Sequence, residues 1–230
     1  MELYFPNLVK LKPTIQSTVL KAMEEYGELC REVRFFNINT QESDKRSENL
    51  WKTNSLEKRL EFVLSELLDV AQCMFTVIYF MQETKKITPD FLKKRLHGHL
   101  SKLIKKGYVS HESKTSFVDF GKRDNGDLYI RLPKCDKINY LNVESDIMFT
   151  LLKLGEEIGE LAQVIGKHSG LSGEVNVKKD NIVLEEVVDE MLDVAQTCCT
   201  LLYIFQEKYD VDVESFLNIH RKKLEAHGYC

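Results

Sequence analysis

Apolar positions recur along most of the chain with the three-to-four-residue spacing of amphipathic helices. Over 14–36, Ile15, Val19, Ala22, Met23, Tyr26, Cys30 and Val33 fall on one stripe. The spacing predicts a first helix there, a second over 56–84 and a third over 89–106. It then predicts three more, over 146–167, 182–209 and 213–227. Thr88 before Pro89 suits an N-cap with proline at the first helical position. Between the two sets the texture changes. The segment TSFVDFGKRDNGDLYIRLP (115–133) has short β-prone runs about an Asn-Gly pair, which predicts a small β-hairpin. The expected fold class is all-α, with a hairpin in the connection.

The two sets of helices are written in related words. The segment beginning at Asn7 aligns without a gap on that beginning at Asn139, an offset of 132. Identical pairs include Thr18 and Thr150, Lys21 and Lys153, Glu24 and Glu156, Glu25 and Glu157, Gly27 and Gly159, and Glu28 and Glu160. A second block pairs SELLDVAQ at Ser65 with DEMLDVAQ at Asp189, an offset of 124. A third pairs FLKKRLHGHLSKLIKKGY from Phe91 with FLNIHRKKLEAHGY from Phe216, the first copy being longer by about one helical turn. The chain reads as a tandem duplication: a helical unit over 1–106, a linker over 107–138 and a second unit over 139–230, packed together as a pseudo-dimer.

The acids give the repeat its chemistry. Glu25 and Glu28 are three residues apart on one helix face, with Glu24 turned towards the other side. Taken alone, this is an amphipathic helix with solvated glutamates. The second helix is apolar nearly all round, as a buried helix is, yet Glu66 and Asp69 sit on the side it shares with Phe62, Cys73 and Phe80. Glu190 and Asp193 repeat the arrangement beside Glu157 and Glu160. Core-facing carboxylates are costly unless paired or bound to metal, and neither motif offers a fixed basic partner. A hard divalent cation resolves the repulsion, and Mg²⁺ takes oxygen ligands in an octahedral shell. Gly27 and Gly159, inside helices, suggest close approach of a facing helix. There is no ExxH of a ferritin-like di-iron site, no phosphate-binding GxxxxGK[ST] and no GxSxG. His97, His99, His220 and His227 read as surface residues rather than ligands.

The pattern EExxE, then a loop, then ExxD followed by LDVAQ, resembles the MazG-like family of all-α nucleoside triphosphate pyrophosphohydrolases, related to the dimeric dUTPases. The resemblance covers most of the chain outside the hairpin. It implies that Glu25, Glu28, Glu66 and Asp69, and again Glu157, Glu160, Glu190 and Asp193, hold Mg²⁺ or Mn²⁺. It implies cleavage of a nucleoside triphosphate to monophosphate and pyrophosphate by attack of water on the α-phosphorus. Glu24 and Glu156 would hold a second ion or orient the water. Phosphate-binding candidates are Lys45, Arg46 and Lys52 in the first loop, and Lys167, Lys178 and Lys179 in the second. Trp51 could stack on a base or pack in the core. Units of this kind pair, so the chain could also form a homodimer, a pseudo-tetramer.

Composition narrows the field. A net charge of −4 over 230 residues does not suit a dedicated nucleic-acid binder. A small anionic substrate stays compatible, because a bound cation supplies the positive charge. The start of the chain has no basic stretch followed by an apolar run, and no 18-residue apolar run occurs, so neither a signal peptide nor a membrane span is expected. Six cysteines without a CxxC pair suit reduced, buried thiols in a cytoplasmic protein. The competing expectation is a non-catalytic tandem helical bundle that binds a nucleotide or docks a partner protein.

Overall fold

The computed structural model describes residues 1–45, 54–84, 86–109, 118–137, 146–170 and 180–230. Among these, regular structure begins with strand β1 (Glu2–Phe5) and helices α1 (Ile15–Lys45), α2 (Asn54–Glu83) and α3 (Pro89–Lys105). Strands β2 (Asp119–Lys122) and β3 (Leu128–Arg131) follow, and then helices α4 (Ile147–His168), α5 (Asp180–Tyr209) and α6 (Val213–Ala226). The protein is mostly helical, as expected. Thr88 caps α3, accepting from the Phe91 N–H at 3.2 Å with Pro89 next to it. Asp146 and Asp212 cap α4 and α6 in the same way.

Helices α2 and α5 form the centre of the core. Over Glu57–Glu83 the chain is long and apolar enough to cross a bilayer, but 78% of that apolar window is buried inside the protein, where α1, α5 and α6 pack on α2. The buried seam of α1 is Ala22, Glu25, Leu29, Glu32 and Phe36, in steps of three and four. Met23, placed on the apolar stripe from spacing, is 48% exposed, because one step from Ala22 turns it about 100° away from the seam. Two acids therefore lie in the seam itself. Glu32 is held there by Arg31 at 3.0 Å and Arg59 at 3.2 Å.

The hairpin forms where the Asn-Gly pair predicts it, with Gly126 at φ +90° and the Arg123 N–H donating to Asp127 O at 2.8 Å across the turn. The sheet has a third member. β1 pairs antiparallel with β3, giving the order β1-β3-β2 with Leu3 opposite Ile130 and Phe5 opposite Leu128. The sheet is pinned to both central helices by matching contacts. Gln72 of α2 donates to Pro6 O at 3.2 Å, and Gln196 of α5 donates to Pro133 O at 2.7 Å. Tyr79 donates to Phe5 O at 3.0 Å, and Tyr203 to Leu132 O at 3.4 Å. The sheet also carries the third helices, α6 against β1 and α3 against β2.

The third helices cross over. α3 packs on α5, and α6 packs on α2, so each central helix is covered by the third helix of the other half. Helices α1 and α4 lie side by side, with Tyr26 donating to Leu151 O at 3.1 Å and Gln16 donating to Ser169 Oγ at 3.0 Å. The close approach expected at Gly27 and Gly159 is not found there: both face solvent, and an added Cβ would meet nothing within 4 Å. It occurs at Gly155, where a Cβ would collide with the Tyr26 hydroxyl. Gly27→Ala and Gly159→Ala should therefore each raise stability by about 0.5–1 kcal/mol in urea unfolding. Gly155→Ala should lower it, and Tyr26→Phe in the same chain should restore part of the loss.

Candidate functional site

The acids named from sequence converge twice. Carboxylate oxygens of Glu25, Glu28 and Glu66 lie within 4.8 Å of one another, and so do those of Glu157, Glu160 and Glu190. The i, i+3 spacing on α1 or α4 sets two of them one above the other. The packing of α1 on α2, and of α4 on α5, brings up the third. Glu25 and Glu157 are the buried members, while Glu160 is exposed.

Asp69 and Asp193 stand beside these triads but are turned to basic partners, contrary to the expectation that the acids have none. Lys223 of α6 donates to Asp69 at 2.6 Å, and Lys102 of α3 donates to Asp193 at 2.5 Å. Glu25 and Glu157 are also paired, with Lys21 at 2.6 Å and Lys153 at 2.7 Å, each one helical turn away. The same two lysines hold Glu24 at 3.1 Å and Glu156 at 2.9 Å. Glu24 and Glu156 thus lie on the outer side of the lysine, more than half exposed and outside the triads.

The histidine expectation also divides. His97 and His227 are exposed, but His99 and His220 are buried at 5% and 4% exposure. His99 Nδ1 lies 3.4 Å from Asp193, and His220 Nδ1 lies 3.8 Å from Asp69. Burial disfavours the charged imidazolium in both, and moves His220 down to about 3. They are neutral rings packed beside Asp193 and Asp69. Phe5 of β1 packs edge-on to His220 with centroids 5.5 Å apart.

Crowding shows in the proton affinities. Burial, and next the charge of Asp69, pushes Glu66 up to about 7. Burial, and next Asp193, does the same for Glu190. Burial also raises Glu157 to about 7, against the opposing pull of Lys153. Oε2 of Glu190 is a buried oxygen that accepts no hydrogen bond among the described residues. A donor set made only of carboxylate oxygens, raised proton affinity and an orphaned buried oxygen together fit a hard divalent cation. In an octahedral shell at about 2.1 Å, adjacent oxygens sit about 3 Å apart and opposite ones about 4 Å, so the triads need only small side-chain movements.

A cavity of about 560 Å³ opens over the first centre, lined by Glu25, Glu28, Glu66 and Asp69 and by three lysines, Lys12, Lys21 and Lys223. A cavity of about 40 Å³ lies beside the second centre, lined by Glu157 and Asp193 with Lys102, Lys153 and Tyr108. A third cavity, of about 530 Å³, lies between the start of α1 and the end of α4; its walls are mainly apolar, with Ile15, Phe80 and Val187, and no carboxylate of the described residues lines it.

Of the loop cations proposed for phosphate, Arg46, Lys52, Lys178 and Lys179 lie outside the described residues, as do Trp51 and the side chain of Lys45. Lys167 is in the last turn of α4, has interactions of its own, and lines neither acidic cavity. The lysines that reach the acids come from the helices. Lys21 and Lys153 were visible in the repeat as identical residues one turn before Glu25 and Glu157. Lys102 and Lys223 carry a clearer sign: the string HxxKLxxxGY occurs at His99 and again at His220.

Compared with protein-family models, curated proteins and solved structures, the chain matches none.

The raised acids make cation binding pH-dependent. With Glu66, Glu157 and Glu190 near 7 in the folded chain against an ordinary value of 4.5, the folded state holds the extra protons between those values. Their contribution to stability therefore falls as pH rises through that window. A cation that replaces the protons reverses the fall. Millimolar Mg²⁺ or Mn²⁺ should raise the unfolding temperature more at pH 8 than at pH 5.5, read against chelator at each pH. Equal shifts at both would contradict the assignment.

Proposed function

We propose that the chain is a divalent-cation-dependent nucleoside triphosphate pyrophosphohydrolase of the MazG-like kind, a duplicated helical unit folded as its own pseudo-dimer. One observation carries the proposal: the carboxylates named by the sequence resemblance converge beneath a cavity of about 560 Å³ that is also lined by three lysines. Small-molecule sites commonly enclose about 300–1,000 Å³, so this one has room for a nucleotide.

In this reading Glu25, Glu28 and Glu66 would hold Mg²⁺ or Mn²⁺, with Asp69 beside them on Lys223. A bound cation would screen phosphate charge and lower the pKa of its water. Lys12, Lys21 and Lys223 face the same cavity and give a polyphosphate its countercharge. Glu24 and Glu156 orient their lysines rather than reach the reacting atoms. Cys73, buried in the same wall, lowers its polarity, which strengthens each charge interaction beside it. The net charge of −4 argues against a nucleic-acid partner. The free cysteines, four of them buried, suit a reducing cytoplasm.

A second reading, a non-catalytic nucleotide binder or protein-docking bundle, is favoured by one observation: Asp69 and Asp193 already have lysine partners, so the centres are partly neutralised without an ion. Pyrophosphate release from a panel of nucleoside triphosphates and deoxynucleoside triphosphates, with Mg²⁺ and with chelator, separates the two. Turnover should need the ion. The double variant Glu25→Gln with Glu157→Gln should lose about 10²-fold or more in kcat, the scale of losing one group that stabilises transition-state charge, while keeping its helical circular dichroism. Binding without product in the wild type would select the second reading.

A further inference from the structure

The cavity over the first centre has two kinds of wall. The side from α1 and α2 is mostly polar, with the acids, Lys21 and the hydroxyls of Thr18 and Thr76. The rest includes Leu8, Leu11, Pro13 and Leu224 and the rings of His227 and Tyr229. Leu11 is 41% exposed and Tyr229 37%. Single exposed apolar residues are ordinary on a protein surface. These two share one concave site with the acidic centre and its lysines.

The sequence LEAHGY (224–229) builds this face. Gly228 takes φ +71° just past the end of α6. Its N–H donates to Glu225 O at 2.8 Å, and the Tyr229 N–H donates to Leu224 O at 3.0 Å. These are the paired bonds of a helix ended by a left-handed glycine, and they bring the residue after the glycine back beside the last turn. Leu224 and Tyr229 accordingly line the same cavity. The Tyr229 carbonyl accepts from Lys10 N–H at 3.3 Å, which ties it to the segment carrying Leu8 and Leu11. Its ring stacks on His227, with centroids 5.6 Å apart and planes 22° from parallel. The hydrogen bonds that place Tyr229 are all backbone bonds, so they survive a change of its side chain.

We propose that the stacked pair His227 and Tyr229 is a platform for the base of the nucleotide. This rests on the pyrophosphohydrolase reading and divides the first cavity between two parts of its substrate. The polyphosphate lies with the acidic centre and with Lys12, Lys21 and Lys223. The base lies with its face on the Tyr229 ring. Stacking of this kind is open to every base, because each has a π-face. The platform therefore separates nucleotides from bare polyphosphate rather than one base from another.

Steady-state pyrophosphate release by the whole chain in excess Mg²⁺, with inorganic triphosphate as a competing inhibitor, tests this. Tyr229→Ala should raise KM by about tenfold or more for each nucleoside triphosphate that is turned over, the scale of losing one base–aromatic stack. The loss should lie in KM rather than kcat. The inhibition constant of inorganic triphosphate, which has no base, should stay within twofold. Tyr229→Phe, which keeps the ring, should return KM to within twofold of the wild type. An unchanged KM in Tyr229→Ala, or an equal rise in KM and in the triphosphate constant, would overturn the inference while wild-type turnover leaves the reading beneath it standing. If the wild-type chain releases no pyrophosphate from any nucleoside triphosphate, that reading fails and the inference with it.

Discussion

Like charge held out of water is the constraint around which this fold is arranged. Three carboxylates within 4.8 Å of one another, at the junction of two helices, repel each other, and the buried ones lose hydration as well. Glu66 and Glu190 register both effects by holding a proton up to about pH 7. Lys21 and Lys153 offset one acid each from within the same helix, which leaves the far side of each cluster in need of positive charge. Lys223 and Lys102 provide it, and both come from the third helix of the opposite half. The crossing of α3 and α6 is thus an electrostatic requirement as much as a packing one.

The small sheet serves that crossing. β1 and β3 run side by side between the halves, and Gln72 and Gln196 fasten the residues after them to α2 and α5. From this platform Tyr4 reaches Glu214 at 2.9 Å and Asn218 at 3.1 Å, and Arg221 reaches Asp127, so α6 is seated with His220 and Lys223 over Asp69. Lys93 and Asp119 make a looser contact of 3.8 Å on the α3 side. The histidines contribute shape and low polarity rather than charge, since burial keeps their rings neutral.

How much of this could be read from the chain depended on sequence distance. The six helices, the Thr88 cap and the hairpin follow from local spacing and turn chemistry, and the structure has them. α1 runs on to Lys45, past the end of its apolar stripe. β1 was missed: four residues before a proline are a weak strand signal, and their partner β3 is more than a hundred residues away. The carboxylate triads were legible because a repeat at i, i+3 on paired helices is local. Their lysines were not, for two reasons. Lys21 and Lys153 were seen as repeat identities but not read with the acids one turn along. Lys102 and Lys223 were hidden by matching the third helices from Phe91 and Phe216, whereas matching from the Gly-Tyr ends sets His99 on His220 and Lys102 on Lys223. The burial of those histidines follows from the same crossing, which no local pattern reports.

Carrying both sets of helices on one chain has a further effect on what the exchanged helices permit. A dimer of identical subunits uses the same surface twice, so any residue that improves one half of its interface is imposed on the other. Here the matched positions are independent. Gly155 can make room for Tyr26 although Met23 holds the aligned place, and a tyrosine can lie inward after α3 while its counterpart stands outward after α6. The covalent link keeps the halves at a high effective concentration without asking the interface to find its partner. Specialisation of one centre is then open to single substitutions, each felt on one side only.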